Sequence, residues 1–428
     1  MRLPVILVCL VALCLGQTTL MAQTARALPV STAAAEGFSD TRLKRLDDFM
    51  RTATDSGGYL GAVTIVARNG KIVDWRAYGH RDLARKSPMA QDSIFRIYSM
   101  SKTIASVAVL MLMEEGKLTL EDPVARYIPE FSKMNVFVGG SAGAPKLRPG
   151  KRQITIRHLL THTSGFATSG KKGDEAVKLF NRFDLHQSPT LKAYAEYVAR
   201  QPLGAEPGNR FNYDGVSLEV LSRMVEVVSG MTFDAFMQQR IFAPLGMADT
   251  SFSVPAEKRA RIADLVTTTA DGQLAIAAPR HAIYPGEMLN PYPSGAGGLY
   301  STAADYLRFC QMLLNGGTLD GVSIIGRKSV DLMMMNHLTQ LDPPVNSFSN
   351  AEGFGLGGYV VLDVARRGRL GSVGQFGWSG AGSTYYTIDR QENLIAMLLM
   401  QHLPQDLPKD PPKLSVKFYN LVYQSLIK

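Results

Sequence analysis

The residues that follow Lys102 form an apolar run with almost no polar face. Its apolar positions are Ile104, Val107, Ala108, Leu110, Met111 and Met113. The spacing is helical and the run stops before Gly116, a common residue just past a helix end. A helix that is apolar on all sides must be buried on all sides. At 428 residues the chain can supply that core, as one large domain or two interleaved ones.

Ser99 and Lys102 lie at the start of this predicted helix, three residues apart. That spacing puts both side chains on one helix face, and the free amides of the first turn place partial positive charge near the serine. A lysine is protonated at neutral pH, but burial against the apolar helix favours the neutral amine that a base requires. A serine hydroxyl beside such an amine can be the nucleophile of an acyl transfer. The alternative is that Ser99 only caps a core helix.

Two other serines fit catalytic patterns without the surroundings that those patterns need. Ser169 and Lys172 repeat the serine–lysine spacing in a stretch of glycine and lysine with no apolar run behind it. Ser141 lies in Gly139–Gly143, which matches the G-x-S-x-G turn of α/β-hydrolases. That turn needs a strand before it and a helix after it, and the proline-containing segment that follows cannot start a helix cleanly. We expect neither serine to be the nucleophile.

Two later segments offer the remaining parts of an acyl-transfer site, a proton shuttle and backbone donors for the oxyanion. Tyr213 lies where a turn-rich loop meets a helical pattern, so its phenol can face a cleft. Trp378, Ser379, Gly380 and Ala381 lead into a β-rich run, and glycines there let the backbone come close to another group. On its own, Tyr213 would be interpreted as a packed tyrosine. The segment from Trp378 to Ala381 would be interpreted as the glycine-rich start of a hairpin.

Ser99-x-x-Lys102, Tyr213 and Trp378–Gly380 together resemble the three motifs of the serine β-lactamase-like and penicillin-binding-protein-like superfamily, in the same order and with similarly wide spacing. The closest resemblance is to class C β-lactamases and, more narrowly, to family VIII carboxylesterases, whose third motif is W-x-G rather than K-T-G. The likeness runs from about Phe38 to the C-terminal helix, and its supporting stretches are His158–Gly165, Pro244–Met247 and Gly297–Asp305.

The resemblance implies a role for each motif residue. Ser99 would attack the acyl carbon, and Lys102 and Tyr213 would share the proton transfers. Which of these two takes the serine proton stays open. The amides of Ser99 and Ala381 would hold the oxyanion. The residues that would border the bound substrate are Trp378, Ser379 and Gly380.

The chain departs from the β-lactamase pattern at two positions. Gly215 replaces the asparagine or serine that ends the second motif, which removes a side chain that could hold an amide substrate. Trp378 replaces a lysine that would pair with the carboxylate of β-lactams and peptidoglycan stems, and an indole offers an apolar wall with one donor. We therefore expect short-chain, uncharged carboxylic esters as substrates, with at most weak β-lactam hydrolysis.

Two other functions fit the same residues. One is a class C-type β-lactamase or a DD- or D-amino-acid peptidase. The other is a non-catalytic protein that binds cell-wall fragments or acyl ligands. The presence of Ser99, Lys102 and Tyr213 together favours an enzyme, because a protein that only binds has no need of all three.

The expected partner is a small molecule, an ester or else a β-lactam or peptide. Neither a metal nor a cofactor is expected, since His158 and His162 lack the glutamate of H-E-x-x-H and the glycines of Gly353–Gly358 lack a βαβ unit around them. The formal net charge is +9, but the basic residues are scattered, which indicates a solvated surface rather than a nucleic-acid site. The sequence leaves the oligomeric state open.

The N-terminus has the pattern of a secretory signal peptide. Arg2 precedes an apolar segment from Leu3 to Leu15, which is too short for the roughly 20 residues of a membrane span. Cleavage after Ala22 or Ala27 would remove two of the three cysteines, so the mature chain could form no internal disulfide. We expect residues 1–27 to be a signal peptide and the mature protein to be periplasmic or secreted, with no stable membrane span.

Strand-like runs lie near both ends of the chain and helical patterns lie between them. The runs are Tyr59–Ala67, Lys71–Tyr78, Leu370–Val373, Ser383–Ile388 and Leu394–Met400, and an amphipathic helix is predicted over Leu414–Ile427. The middle, from Ser99 to about Pro293, is mostly helical, with long loops at Gly139–Pro149 and Ser164–Gly173. Strands contributed by both ends indicate one sheet with an inserted helical region.

The fold class predicted is therefore α/β (α+β) and β-lactamase/DD-peptidase-like, an antiparallel sheet from both termini flanked by helices. After the signal peptide, residues 28–428 would form the hydrolase domain. Its α/β part would comprise about 35–98 and 296–428, and its mainly helical part about 99–295.

Overall fold

The computed structural model describes residues 27–277 and 284–428. The predicted signal peptide lies outside these ranges except for Ala27. No helix within the described ranges is both long and apolar enough to cross a membrane.

The described chain contains helices α1 to α12 and strands β1 to β15. The helices are α1 Asp40–Asp55, α2 Ser101–Glu114, α3 Ile156–Leu160, α4 Glu175–Phe180, α5 Leu191–Ala199, α6 Val216–Ser229, α7 Phe233–Met237, α8 Ala243–Leu245, α9 Ala303–Leu314, α10 Arg327–Met333, α11 Val364–Arg367 and α12 Ser415–Tyr423. The strands are β1 Gly61–Arg68, β2 Lys71–Gly79, β3 Phe95–Arg96, β4 Asn135–Ser141, β5 Ala144–Pro149, β6 Val266–Thr268, β7 Leu274–Ile276, β8 Tyr300–Ser301, β9 Thr318–Leu319, β10 Val322–Ser323, β11 Glu352–Phe354, β12 Tyr359–Val361, β13 Phe376–Gly380, β14 Thr384–Asp389 and β15 Leu394–Met400.

The largest sheet joins the two ends of the chain. Its strand order is β11-β12-β13-β14-β15-β1-β2, and each neighbouring pair is antiparallel. In its middle β1 pairs with β15 from Ala62 opposite Met400 to Arg68 opposite Leu394. The predicted fold class, an antiparallel sheet built from both termini and flanked by helices, is confirmed.

Strand β15 shows why both faces of this sheet are covered. Its residues alternate between two hydrophobic cores, as the two-residue period of a strand requires. Leu394, Ala396, Leu398 and Met400 pack on the side of α1 and α12. Ile395, Met397 and Leu399 pack on the side of α2 and α9. A strand buried on both faces must be apolar throughout, which accounts for the unbroken run in the sequence.

Helix α2 is buried along nearly its whole length, as its apolar sequence predicts. Its few polar side chains have partners inside the protein. Thr103 Oγ1 donates to the carbonyl of Gly357 at 2.7 Å, and Ser106 Oγ donates to the carbonyl of Lys102 at 2.9 Å. Because its hydroxyls are satisfied, the helix tolerates burial without losing hydrogen bonds.

Three local predictions were wrong. Gly139–Pro149, predicted as a loop, contributes to the hairpin of β4 and β5, where backbone pairing forms without an apolar alternation. Ser141 lies at the turn of this hairpin and is followed by strand β5 rather than by a helix, as expected for a serine that is not in the nucleophile turn of an α/β-hydrolase. Leu370–Val373 forms no strand, because its two apolar side chains are exposed and have no sheet face to cover. The C-terminal helix is Ser415–Tyr423, shorter than predicted.

Candidate active site

Ser99 lies in a single 3₁₀ turn, Tyr98–Met100, that leads directly into α2. Tyr98 has φ 43°, a left-handed conformation that residues other than glycine rarely adopt. Backbone strain of this kind costs roughly 1–3 kcal/mol and is common where a side chain must be held in an exact place. The turn leaves Ser99 half-buried on the wall of a cleft. Ser99 does not cap α2, because the helix begins at Ser101 with Met100 in the capping position.

Lys102 lies in the first turn of α2 and points its amine at Ser99. Its Nζ donates to Ser99 Oγ at 3.1 Å and to the carbonyl of Ala296 at 2.6 Å. The same nitrogen lies 5.1 Å from the ring centroid of Tyr213. The lysine is only 4% exposed. The i, i+3 spacing thus brings the two groups together as predicted, in surroundings where few water molecules compete for the amine.

The loop that carries Ala296 is fixed by a buried carboxylate on α6. Glu219 accepts a hydrogen bond from the hydroxyl of Ser294 and another from the amide of Gly295 at 3.1 Å. Burial raises the pKa of Glu219 to about 7, although these donors and the charge of Lys102 oppose the rise. Glu219 therefore positions the carbonyl that holds the lysine amine.

Sequence reasoning missed Glu219, Ser294 and Ala296. One signal was available, because Glu219 interrupts an apolar helical run with an acidic side chain. An acid on a buried helix face needs partners inside the protein. Nothing in the sequence indicated that those partners lie 75 residues away.

Tyr213 is held between two rings at the end of the loop before α6. Trp378 Nε1 donates to Tyr213 Oη at 3.0 Å, with the ring centroids 5.1 Å apart. On the other side the ring of His162 lies 4.6 Å from that of Tyr213. His162 Nδ1 accepts from the amide of Asp214 at 3.3 Å, and burial lowers the pKa of His162. His162 therefore packs on the ring of Tyr213 and holds the loop that carries it through the hydrogen bond to Asp214.

The possible zinc pair of His158 and His162 does not form. His162 lies beyond the end of α3, and His158 Nδ1 accepts from the amide of Thr155 at 3.1 Å. Within the described residues there is no group of three side chains suited to hold a metal ion.

Strand β13 brings the third motif against the nucleophile turn. A side chain at Gly380 would place its first carbon 2.2 Å from the carbonyl oxygen of Ile97, so only glycine fits. Ser379 is half-buried on the same strand, and Ala381 follows its last residue. The glycines of the motif predicted that the backbone comes close to another group here, and Gly380 lies against the backbone of Ile97.

One cleft of about 680 Å³ contains these groups. It is lined by Ser99, Tyr213, Trp378, Ser379, Gly380 and Ala381, among others. Phe348 stands on the rim, 62% exposed, with its ring 5.5 Å from Tyr213 and 6.0 Å from Trp378. Ser99, the phenol of Tyr213 and an aromatic wall therefore face one space, and the amine of Lys102 reaches Ser99 Oγ, an arrangement suited to acyl transfer.

The family model described as Beta-lactamase matches residues 46–415 of the chain. The chain belongs to the β-lactamase family. Among curated relatives, Protein Rv1367c of Mycobacterium tuberculosis is 35% identical over 365 residues, covering 83% of this chain and 89% of that protein. Esterase EstB of Burkholderia gladioli is 30% identical over 378 residues, with coverage of 83% and 89%.

A solved hydrolase structure is also similar to this β-lactamase-family protein. EstCE1, described as a hydrolase with promiscuous acyltransferase activity, is 25% identical and superposes with a TM-score of 0.73. The match covers 90% of this chain and 99% of that one. The predicted membership of the serine β-lactamase-like superfamily is confirmed, and the relatives within it include esterases and other hydrolases.

The hydrogen bond from Trp378 to Tyr213 can be tested with a matched pair of variants. Replacing Trp378 by Phe keeps an aromatic wall but removes the donor, and we expect kcat/KM for p-nitrophenyl butyrate to fall about tenfold. The control is Trp75→Phe at the chain's other tryptophan, whose indole nitrogen has no hydrogen-bond partner among the described residues. Equal activity of the two variants would show that this hydrogen bond does not assist the reaction.

Burial of Glu219 predicts a pH dependence of stability. An acid whose pKa rises from 4.5 to about 7 on folding binds more protons in the folded state between those values. Its contribution to the free energy of unfolding is therefore present at low pH and is lost as the pH rises to about 7 and above. Urea unfolding at pH 5 and pH 8 should show a smaller loss of stability in Glu219→Gln than in the wild type. A loss of equal size in both proteins would contradict the assignment.

Proposed function

We propose that this protein is a secreted serine hydrolase that cleaves short-chain carboxylic esters through an acyl-enzyme on Ser99. The observation that carries the proposal is the placement of Lys102 Nζ, which is buried and lies 3.1 Å from Ser99 Oγ, while Ser99 itself lines the cleft. An amine shielded from water and hydrogen-bonded to a serine hydroxyl can take part in removing that serine's proton. The esterase relatives support the same class of reaction.

The reaction would proceed in two acyl transfers. Ser99 Oγ bonds to the ester carbonyl carbon while its proton passes to the pair formed by Lys102 and Tyr213. The amides of Ser99 and Ala381 would stabilise the oxyanion, and collapse of the intermediate breaks the bond to the alcohol oxygen, which takes the proton. Water then attacks the acyl carbon and loses a proton to the same pair. Collapse of this second intermediate breaks the bond to Ser99 Oγ, which takes that proton back, and the carboxylic acid is released.

Trp378 supports an ester over a β-lactam. Its indole packs on Tyr213 and offers one donor, which Tyr213 already accepts. No cation therefore stands at this position to pair with the carboxylate beside a β-lactam ring. The missing side chain at Gly215 acts in the same direction, because it leaves one hydrogen-bonding group fewer for an amide.

The first test is hydrolysis of p-nitrophenyl butyrate by the purified protein and by Ser99→Ala. We expect the variant to lose at least about 10³-fold in kcat, because it lacks the hydroxyl that Lys102 contacts in the cleft. Ser141→Ala and Ser169→Ala are the matched controls, since each removes a serine that fits a catalytic pattern but is exposed away from the cleft. Both controls should keep wild-type activity.

Two further outcomes decide between the competing functions. A serine-reactive phosphonate should label the wild type and not Ser99→Ala, and failure to label the wild type would favour a binding protein. Faster turnover of a penicillin or cephalosporin than of the ester would overturn the argument from Trp378 and favour a β-lactamase.

Export is part of the proposal and rests on the N-terminal sequence. The charged Arg2, the apolar segment from Leu3 to Leu15 and the small residues up to Ala27 are those of a cleavable signal. We expect the mature protein from a periplasmic or culture fraction to begin after Ala22 or Ala27, as read by N-terminal sequencing. Recovery of the uncleaved chain from the cytoplasm would contradict this.

A further inference from the structure

Beyond its aromatic wall the catalytic cleft is lined by charged residues that the proposed reaction does not use. They are Glu352, Arg367, Arg369 and Lys413. Among the described residues that line the cleft, three are therefore basic and one is acidic. A cleft with an excess of one charge concentrates its field on the space inside and favours ligands of the opposite sign.

The two arginines share a single carboxylate oxygen. Arg367 Nε donates to Glu352 Oε1 at 2.6 Å, and Arg369 Nη2 donates to the same oxygen at 2.9 Å. Gly368, with φ 69°, ends α11 and turns the chain so that both arginines reach Glu352. One carboxylate cannot neutralise two guanidinium groups, so the cluster keeps a net positive charge.

The cluster also has more donors than acceptors. Arg367 Nη1 donates to Gln375 at 2.7 Å, but Arg367 Nη2 and Arg369 Nε have no acceptor among the described residues. The Arg367 side chain is only 3% exposed, and that of Arg369 is 17% exposed. A buried charge that is incompletely paired is costly. An anion placed beside Arg369 would reduce that cost.

A series of aromatic contacts connects Tyr213 with the arginine cluster. Tyr213 lies 5.1 Å from Trp378, and Trp378 lies 6.4 Å from Tyr359, measured between ring centroids. The guanidinium carbon of Arg367 lies 5.0 Å from the centroid of Tyr359. Trp378 and Tyr359 therefore connect Tyr213 with Arg367 through successive ring contacts, and Trp378 puts an indole rather than a cation next to Tyr213.

We propose that Arg369 and Lys413, with Arg367 behind them, form a subsite that binds a carboxylate carried by the ester substrate away from its scissile bond. The ligand would meet the accessible part of Arg369 and the exposed Lys413, while the buried Arg367 contributes its charge. Arginine suits this task because its planar fork can bind a carboxylate through two parallel hydrogen bonds. The inference rests on the proposed esterase function, and it replaces the uncharged ester expected from the sequence by an ester with a distant acidic group.

The first experiment compares esters that differ only in that charge. The substrates are the mono-p-nitrophenyl esters of adipic, suberic and sebacic acids, each against its p-nitrophenyl methyl diester. At the best chain length we expect kcat/KM of the acid to exceed that of the methyl ester at least tenfold, mainly through a lower KM. A ratio near one at every length, for this pair and the pair described next, would overturn the proposal.

A second pair places the carboxylate on the alcohol side of the ester. The substrates are 4-carboxyphenyl butyrate and its methyl ester, 4-(methoxycarbonyl)phenyl butyrate. A preference for the acid in this pair would also support the subsite and would place it on the leaving-group side of Ser99.

Variants assign the preference to the proposed residues. Arg369→Met should bring the ratio of acid to methyl ester close to one, and Lys413→Met should lower it about threefold. A merely structural role of Arg369 would slow both esters alike and leave the ratio unchanged. The control is Arg366→Met, which removes an exposed arginine next to Arg367 that does not line the cleft, and its ratio should equal that of the wild type. Because Lys413 is exposed, its variant tests the charge even where Arg369→Met folds poorly.

Binding to Ser99→Ala separates this inference from the proposed function. Calorimetry should show mono-p-nitrophenyl suberate binding at least tenfold more tightly than its methyl ester, and Arg369→Met in the same background should abolish the difference. Tighter binding of the acid without any ester turnover by the wild type would support the subsite and contradict the esterase. Turnover that depends on Ser99 without discrimination in either assay would support the esterase and overturn the subsite.

Discussion

The site depends on keeping the amine of Lys102 out of water and within hydrogen-bonding distance of Ser99. Among the described residues no carboxylate forms an ion pair with this lysine, and its Nζ instead meets a hydroxyl, a carbonyl and the face of Tyr213. These partners hold the nitrogen in place beside the serine hydroxyl. The apolar length of α2 supplies the dry surroundings, and the strained turn at Tyr98 sets the serine in front of the amine.

The second requirement is that the groups around the lysine stay fixed. Glu219 anchors the loop that presents the carbonyl of Ala296, and His162 and Trp378 hold the two sides of Tyr213. A buried carboxyl whose pKa lies near 7 is a poor choice for stability alone. Its role in holding the loop that contacts Lys102 fits the compromise common at functional sites, where geometry is maintained at some cost in folding free energy.

The cleft separates its apolar and charged parts. Next to the nucleophile the walls are aromatic, and the charged cluster of Glu352, Arg367 and Arg369 begins beyond Tyr359. Trp378 puts an indole rather than a cation next to Tyr213, and the cleft carries its three basic side chains at Arg367, Arg369 and Lys413. Both the likeness to esterases and the loss of the motif lysine fit such a division.

The sequence by itself determined the elements that local patterns encode. The apolar run of α2, the i, i+3 spacing of Ser99 and Lys102, the strand over Leu394–Met400 and the glycine at position 380 follow from period and side-chain size, and all appear where expected. The prediction of strands and loops was wrong where the alternation of apolar and polar residues is weak. This was the case at Leu370–Val373 and in the exposed hairpin of β4 and β5. Only the tertiary structure brought Glu219 to Ser294, Ala296 to Lys102 and the arginines to the cleft, because such contacts join residues far apart in the chain and leave no periodic signal in the sequence.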